Sequence, residues 1–464
     1  MDSKPFEKRH RIHFVGIGGV GMSGIAEVLL NLGYAITGSD LRASEATERL
    51  RALGAEIHIG HDAANLVGDL SVVVISTAVK FSNPEVLAAR ERLIPVIPRA
   101  EMLAELMRLK YGVAVAGSHG KTTTTSMIAE VLTRAGMDPT MVIGGRVRSL
   151  GSNAKMGRGD ILVAEADESD GTFLLLSPTI AVVTNIDREH MDFYETTEDL
   201  TEAFASFIDK VPFYGVAVLC LDHPRVRGLI PKAKKRCVTY GFSSDADFYA
   251  EQVQFNQMEA AFRVVHRQET LGEIHLHIPG RHSVSNALAA VAVARELGVE
   301  FPLIAESLGA FAGIHRRSEV KGEARGVLVM DDYGHHPTEI ETTLQAIAEG
   351  WDRPLTVVFQ PHRYSRTGDL FDDFVAAFDR ADHLILTEIY SAGEEPIAGI
   401  SGAHLYQAMQ RRGHMDVEFI PRPEDVAREM VARLQPGDMF LTLGAGDVYK
   451  VGEELLEFLR EQAN

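Results

Sequence analysis

The stretch that most constrains this chain is Gly117-Ser-His-Gly-Lys121-Thr-Thr-Thr124, entered from the apolar run Val113-Ala-Val-Ala116. The run reads as a buried strand, and the pattern from Met127 to Leu132 reads as an amphipathic helix. A strand, a glycine turn, a lysine and a hydroxyl at a helix start are what a phosphate cradle requires. Backbone N–H groups there point outward, and the positive end of the helix dipole favours an anion. Gly117, Ser118, His119, Gly120, Lys121, Thr122 and Thr123 are therefore expected at a nucleotide, with Lys121 on the β/γ-phosphates and Thr122 on the accompanying Mg²⁺. The loop is shorter than the full Walker pattern, because Val115 stands where its first glycine belongs. The competing reading is a glycine-rich turn that merely caps an α/β unit; the strand before it and the helix after it favour the cradle.

A second glycine turn opens the chain. Ile12-His-Phe-Val15 reads as a strand and runs straight into Gly16-Ile-Gly18-Gly19-Val-Gly21. A helix over Met22 to Leu32 and a second strand from Ala35, ending in Ser39-Asp40, follow. Strand, Gly-x-Gly-x-x-Gly, helix, strand and an acidic residue about 20 positions on form the dinucleotide-binding context. The glycines let the backbone approach a pyrophosphate, and Asp40 is placed to accept from a ribose hydroxyl. On these residues alone NAD is favoured over another nucleotide diphosphate. Glu56-Ile-His-Ile59 and Val72-Val-Val-Ile75 continue the strand–helix rhythm, and Ser76-Thr77-Ala78 lies past a strand end, where open α/β sheets bind ligands.

At 464 residues the chain is too long for one core and reads as about three domains. A first boundary is placed where prolines at 95 and 98 interrupt the pattern, giving domains at 1–105, 106–313 and 314–464. The net charge of −19 argues against a general partner of nucleic acid or of an anionic membrane surface, both of which would repel it. Cys220 and Cys237 are the only cysteines, which excludes a disulfide framework and a paired-cysteine metal or redox motif. The charged start and the lack of an apolar run near ~20 residues make the cytoplasm the expected compartment.

Polar clusters recur at predicted strand ends. Ile161-Leu-Val-Ala164 runs into Glu165-Ala-Asp167-Glu168-Ser-Asp170, and Ile180-Ala-Val-Val183 into Thr184-Asn-Ile-Asp187-Arg-Glu189-His190-Met-Asp192. An isolated acidic cluster is usually a solvated loop. Two of them at strand ends after a phosphate loop suit divalent-metal phosphoryl chemistry. Residues 240–280 alternate as an antiparallel β insertion, and a helix is expected to begin at Ser285 with Asn286 in its first turn, as a ligand contact or as a cap. A further open sheet is expected from strands at Val327, Leu355, His383, Val417 and Met439. His335 and His336, being adjacent, are expected to point different ways rather than share a metal. Arg363 and Arg366 are placed either to fork onto a carboxylate or phosphate or to form salt bridges on a helix face.

Taken in order, these blocks resemble the ATP-dependent Mur ligases, which add amino acids to the peptidoglycan precursor. The resemblance runs through Gly16–Glu27, Gly117–Thr123, Glu165–Asp170, Asn185 with Glu189–Asp192, His282 with Asn286–Ala290, Gly313–Arg317, Asp331–Glu339 and Pro361–Thr367. It is nearest to the alanine-adding branch, with a sibling that attaches a preformed peptide as the alternative and an NAD-dependent dehydrogenase as a distant one. It implies a Rossmann-like domain binding the UDP of UDP-N-acetylmuramate in place of NAD, a P-loop ATP domain and a C-terminal Rossmann-like α/β domain that helps bind L-alanine. It further implies a cytoplasmic monomer or weak homodimer, with ATP and Mg²⁺ (or Mn²⁺). By the same resemblance Thr122, Glu165 and His190 hold metal, Arg316 reaches the γ-phosphate, and His282 and Asn286 meet adenine. Asp331 or Asp332 lies by the ATP ribose, and His362, Arg363 and Arg366 receive the alanine. Gly16, Gly18, Gly19, Gly21, Asp40, Ser76, Thr77, Ala78 and His119 serve the UDP substrate. Several siblings carry a carbamylated lysine on the helix after the His-Met-Asp segment; here Glu198 to Asp209 contains none.

Overall fold

Runs of Val, Ile, Leu and Ala bounded by glycine and polar turns, alternating with helical periods, build parallel sheets buried on both faces. The computed structural model describes residues 10–76, 78–147, 152–191, 193–413 and 416–462; Thr77 and Asp192 lie outside them. Among the described residues there are three sheets. The first is wholly parallel, with strands β1 (Arg11–Val15), β2 (Ala35–Asp40), β3 (Glu56–Ile59), β4 (Val72–Ile75) and β5 (Val96–Pro98) in the order β3-β2-β1-β4-β5. The order reverses between β1 and its neighbours β2 and β4, so the glycine turn after β1 opens at the switch point where α/β sheets bind ligands.

The second sheet has ten strands. They are β6 (Tyr111–Ala116), β7 (Thr140–Val147), β8 (Ser152–Lys155), β9 (Ile161–Glu165), β10 (Ile180–Val183), β11 (Val216–Cys220), β12 (Cys237–Gly241), β13 (Phe248–Asn256), β14 (Glu259–His266) and β15 (Glu269–Leu276). Their order is β15-β14-β13-β12-β11-β10-β6-β9-β7-β8. The strands from β7 to β12 are parallel, and β8 turns back on β7. Two residues separate β13 from β14 and β14 from β15, too few for a parallel crossover, so the expected antiparallel insertion is a meander on the sheet edge.

The third sheet holds β16 (Glu319–Ala324), β17 (Val327–Asp332), β18 (Leu355–Phe359), β19 (His383–Leu386), β20 (Val417–Phe419) and β21 (Met439–Leu443), in the order β16-β17-β21-β18-β19-β20. Only β16 is antiparallel; it is a polar edge strand that the apolar-run reading passed over.

The chain forms two compact units. The first comprises Met1–Gln252, Phe262–Ile274 and Ser285–Phe311, and the second Val253–Ala261, His275–Val284 and Ala312–Asn464. The first thus carries the first sheet and most of the second, while residues 253–261, from the end of β13 to the start of β14, are counted with the second. The helix Arg99–Met107, between β5 and β6, buries Met102, Leu103, Leu106 and Met107 in one core with Phe14 and Ile25 of the first sheet's layer and Phe173, Phe204 and Phe207 of the second's. Fully burying one such side chain contributes about 1.5–3 kcal/mol, which joins the two sheets into one body. In the second unit Phe359, Phe374 and Phe378 pack on one face of the sheet, and Val329, Phe440 and Leu455 on the other.

Candidate active site

In the first unit three loops leave the same edge of the central sheet. Strand β6 lies between β9 and β10, with Val115 opposite Glu165 and Ala116 opposite Val183, so their C-terminal loops are side by side. Gly117 follows β6 with φ +135, and a Cβ there would stand 2.0 Å from Thr184 Oγ1, so only glycine fits. The Thr184 and Asn185 side chains donate to the His119 carbonyl at 2.6 and 3.0 Å, and Asn185 Oδ1 accepts from the His119 N–H at 2.7 Å. The Asp187 N–H donates to Ser118 Oγ at 2.8 Å. The loop is thus strapped to the end of β10, and Gly120, at φ +80, turns it into the helix Lys121–Arg134.

The Lys121 ammonium sits in this loop and donates to the Gly117 carbonyl at 2.6 Å and to both Glu168 oxygens at 2.8 and 2.9 Å. Burial opposes its charge, but the carboxylates of Glu168, Asp167 and Glu189 outweigh that and push its pKa up. Glu168 is fully buried, and burial pushes its own carboxyl up against the pull of Lys121. The pair stands as an ammonium–carboxylate pair because both Glu168 oxygens accept from Lys121 at short range. His190 Nε2 lies 3.7 Å from Glu168 Oε1, and a ligand atom from each of Glu168, Glu189 and His190 falls within 4.8 Å of the others. Two carboxylates and an imidazole converging beside a phosphate loop fit a divalent cation. Glu165, expected as a ligand, is the last residue of β9 and stands outside this trio. Thr122 is half-buried in the first turn of the helix.

His223, which the motif reading passed over, completes this edge. Asp187 takes the His119 imidazole on one oxygen at 3.2 Å and the His223 imidazole on the other at 3.3 Å. Burial would raise the Asp187 carboxyl, but these two partners hold it far below the usual range. The helix carrying Asn286 begins at Arg281, four residues before the expected start at Ser285. Asn286 is therefore neither in the first turn nor a cap. Its Oδ1 accepts from Thr124 Oγ1 at 3.1 Å and would stand 2.7 Å from a Cβ on Gly120, so it roofs the loop. Pro279 and Gly280 hid the early start; Gly280, at φ +87, turns the chain directly into the helix.

At the first sheet Gly16 has φ +78, and its N–H and that of Ile17 donate to the Ser39 carbonyl at 2.8 and 3.0 Å. The Gly18 N–H donates to Asp40 Oδ2 at 2.8 Å, so Asp40 braces the turn it was expected to serve. Gly19 precedes the helix Val20–Asn31. A Cβ on Gly21 would stand 2.6 Å from Arg99 Nη1, and Arg99 Nη2 lies 3.3 Å from Asp167 Oδ2. Arg99, which no motif flagged, thus places a cation between the glycine turn and the acidic segment. Ser76 follows β4, with its Oγ 3.8 Å from a Cβ built on Gly16, and Ala78 is exposed.

In the second unit Arg316, at φ +59, uses all three guanidinium nitrogens: Nε donates to Asp331 at 2.9 Å, Nη1 to the Gly446 carbonyl at 3.0 Å and Nη2 to the Gly444 carbonyl at 2.6 Å. Asp331 is fully buried and also accepts from Thr442 at 2.7 Å. Asp332 accepts from the Ser318 and Gly334 N–H groups at 2.6 and 2.7 Å, and burial lifts its carboxyl to about 6. His282 is pushed down to about 4 by burial and the neighbouring Arg317 charge, so it is a neutral imidazole near neutrality. His335 Nδ1 meets the Tyr333 carbonyl at 3.0 Å, whereas His336 caps the helix Pro337–Gly350, so the adjacent imidazoles do diverge. Arg363 precedes the helix Tyr364–Asp369 that contains Arg366, so the two arginines do not share a helix face.

Three family models match in succession: "Mur ligase family, catalytic domain" at residues 11–111, "Mur ligase middle domain" at 115–294 and "Mur ligase, glutamate ligase domain" at 316–446. The UDP-N-acetylmuramate–L-alanine ligase of Syntrophotalea carbinolica is 57% identical over 98% of this chain and 100% of its own. The chain belongs to the Mur ligase family. The like-named ligase of Geotalea daltonii is 58% identical over 98% of this chain and 99% of its own. Among solved structures, UDP-N-acetylmuramate–alanine ligase of Thermotoga maritima superposes with a TM-score of 0.81 at 30% identity, over 98% of this chain and 99% of that one. A murein peptide ligase of Psychrobacter arcticus shares the fold, with a TM-score of 0.69 at 24% identity over 97% and 99% of the two chains. Like these Mur ligases, the chain is an ATP-dependent ligase, and among its described residues no helix is long and apolar enough to cross a membrane.

Proposed function

We propose that this Mur ligase joins L-alanine to the lactyl carboxylate of UDP-N-acetylmuramate, with cleavage of ATP to ADP and phosphate, and that it works in the cytoplasm as a monomer or weak homodimer. The observation that carries the reading is the full-length identity of 57–58% to alanine-adding ligases, together with Lys121, Glu168, Glu189 and His190 converging at a glycine loop. The carboxylate must first be activated, because an amine does not displace an oxide leaving group; phosphorylation yields an acyl phosphate, and attack by the amine releases phosphate. Gly16, Gly18, Gly19 and Gly21 would receive the pyrophosphate and Asp40 the ribose, with Ser76, Thr77, Ala78 and His119 bordering that substrate. The Gly117–Thr123 loop would hold ATP through its N–H groups, and Lys121 would turn from Glu168 onto the β/γ-phosphates. His282 and Asn286 would flank adenine, while Asp331 and Asp332 would shape the ribose side by fixing Arg316 and the Ser318 turn.

Glu168, Glu189 and His190, with Thr122 and Glu165 alongside, would hold Mg²⁺ or Mn²⁺, which supplies charge neutralisation between the γ-phosphate and the substrate carboxylate. Arg316 would offer its cation to the same phosphate, and His362, Arg363 and Arg366 would take the alanine. Domains at 1–105, 106–313 and 314–464 would carry these three tasks. The test is mass analysis of the nucleotide product after incubation with ATP, UDP-N-acetylmuramate and L-alanine. A product heavier by one alanyl residue is expected; unchanged nucleotide with intact ATP would overturn the assignment.

A further inference from the structure

In the third sheet's layer, the segment after β18 carries His362, Arg363 and Arg366, and a turn from Tyr390 to Glu394 closes over it. The two segments exchange backbone bonds: the Arg363 N–H donates to the Tyr390 carbonyl at 2.9 Å, and the Tyr390 N–H to the Pro361 carbonyl at 2.8 Å. The Tyr390 ring stacks on His362, with centroids 5.5 Å apart and planes 9° from parallel. Arg366 Nη1 meets His362 Nδ1 at 3.3 Å. Burial and the surrounding charges of His335, Arg366 and Arg363 push His362 down to about 4, so its Nδ1 is free to accept from that arginine.

Arg363 itself is strained, with φ +72 and ψ 135. A non-glycine residue in that region is strained and persists only where its surroundings over-determine it. Here the surroundings include Glu394. Its carboxylate accepts from Arg363 Nε at 2.7 Å, from Ser365 Oγ at 2.6 Å and from the Ser365 N–H at 3.1 Å. Three donors on two residues two positions apart define the carboxylate's place. The bond to Arg363 runs through Nε, so the Nη1–Nη2 end of the guanidinium, the edge that forks onto a second carboxylate, stays available.

We propose that Glu394 is a positioning residue for the amino-acid substrate: it holds Arg363 side-on, so that the guanidinium fork is preset for the substrate's α-carboxylate. This rests on the reading above that His362, Arg363 and Arg366 receive the alanine. An ordinary surface ion pair adds little stability and would have no reason to sit on a strained backbone. Glu394 also offsets the Arg363 charge, so the site favours a zwitterion with one carboxylate over a more anionic ligand.

The test uses the full-length enzyme and steady-state kinetics with each substrate varied in turn, for Glu394→Ala, Glu394→Gln and Arg363→Lys. Loss of a hydrogen bond to a charged group corresponds to about a tenfold or larger change. Glu394→Ala is expected to raise KM for L-alanine about tenfold or more, with KM for ATP and for UDP-N-acetylmuramate within about twofold of the parent. Glu394→Gln, which keeps the shape and one acceptor oxygen but not the charge, should fall between. If Arg363→Lys raises KM for L-alanine while both Glu394 variants leave it unchanged, the positioning role is overturned. Equal rises for all three substrates would make Glu394 a general structural residue and overturn it too. If Arg363→Lys leaves KM for L-alanine unchanged, the amino-acid site itself lies elsewhere, and the proposal falls with it.

Discussion

Replacing Glu168 by glutamine removes the charge that holds Lys121 in the phosphate loop while keeping the shape. Glu168 is fully buried, and its two oxygens take the Lys121 ammonium at 2.8 and 2.9 Å. Breaking a buried pair costs about 3–5 kcal/mol, since the surviving charge is left without its counterion. Glutamine retains one acceptor, and Lys121 keeps the Gly117 carbonyl at 2.6 Å, so the lower end, about 3 kcal/mol, is expected. Because a multidomain chain need not unfold in one step, the suitable assay is hydrogen exchange of the amides in the Lys121–Arg134 helix. At about 1.4 kcal/mol per factor of ten, exchange should quicken roughly a hundredfold. Lys121→Met should quicken it at least as much, because it strands a buried carboxylate. The double variant should then recover at least about tenfold relative to the sum of the singles. Additive effects, or a change below about threefold for Glu168→Gln, would refute the pairing as the element that sets the loop.

Glu85 gives a pH prediction. It is fully buried in the first sheet's layer, where Ser39, Asn65 and His61 contact it at 2.6, 2.5 and 3.3 Å. Burial would raise its carboxyl, but the partners His13, Ser39 and Asn65 outweigh that and bring it down to about 2. A lowered carboxyl contributes stability above its unfolded value, and loses it as pH falls through the folded one. Glu85→Gln should therefore be less stable than the parent by about 3 kcal/mol near neutrality, and the gap in local exchange should shrink as pH falls from about 4.5 toward 2; an unchanged gap would contradict this. Gly18→Ala places a Cβ 2.9 Å from Asp40 Oδ2 and 3.1 Å from Ser44 Oγ. Overpacking of about 1–3 kcal/mol should raise KM for UDP-N-acetylmuramate about tenfold and leave KM for ATP unmoved, as initial rates will show.

The strand skeleton was legible because parallel strands covered on both faces are near-continuous apolar runs, as Val72–Ile75, Ile180–Val183 and Leu355–Phe359 are. The phosphate loop was legible because its glycines answer a local need: Gly117 and Gly120 take backbone conformations, and a closeness to Thr184 and Asn286, that no other residue tolerates. What escaped was set by distance along the chain. Glu165, Asp167, Glu168 and Asp170 look alike in a row, and only the fold selects Glu168 to face Lys121, 47 positions earlier. Arg99 reaching Asp167, and His223 reaching Asp187, join segments whose local patterns say nothing of each other. The polar edge strand β16 lacks the apolar run that marks the others, because an edge strand needs only one buried face. The dinucleotide fingerprint is legible as a turn, but the residues that fix its turn do not name the base or sugar beyond it; only the family resemblance favours UDP over NAD.

On this reading the amine that captures the activated carboxylate is that of L-alanine. The most direct measurement is phosphate release by the purified full-length protein with ATP, Mg²⁺ and UDP-N-acetylmuramate, supplied in parallel with L-alanine, with a preformed tripeptide, or with neither. Release that depends on L-alanine and is at background with the tripeptide is the predicted result. Release with the tripeptide alone would contradict it.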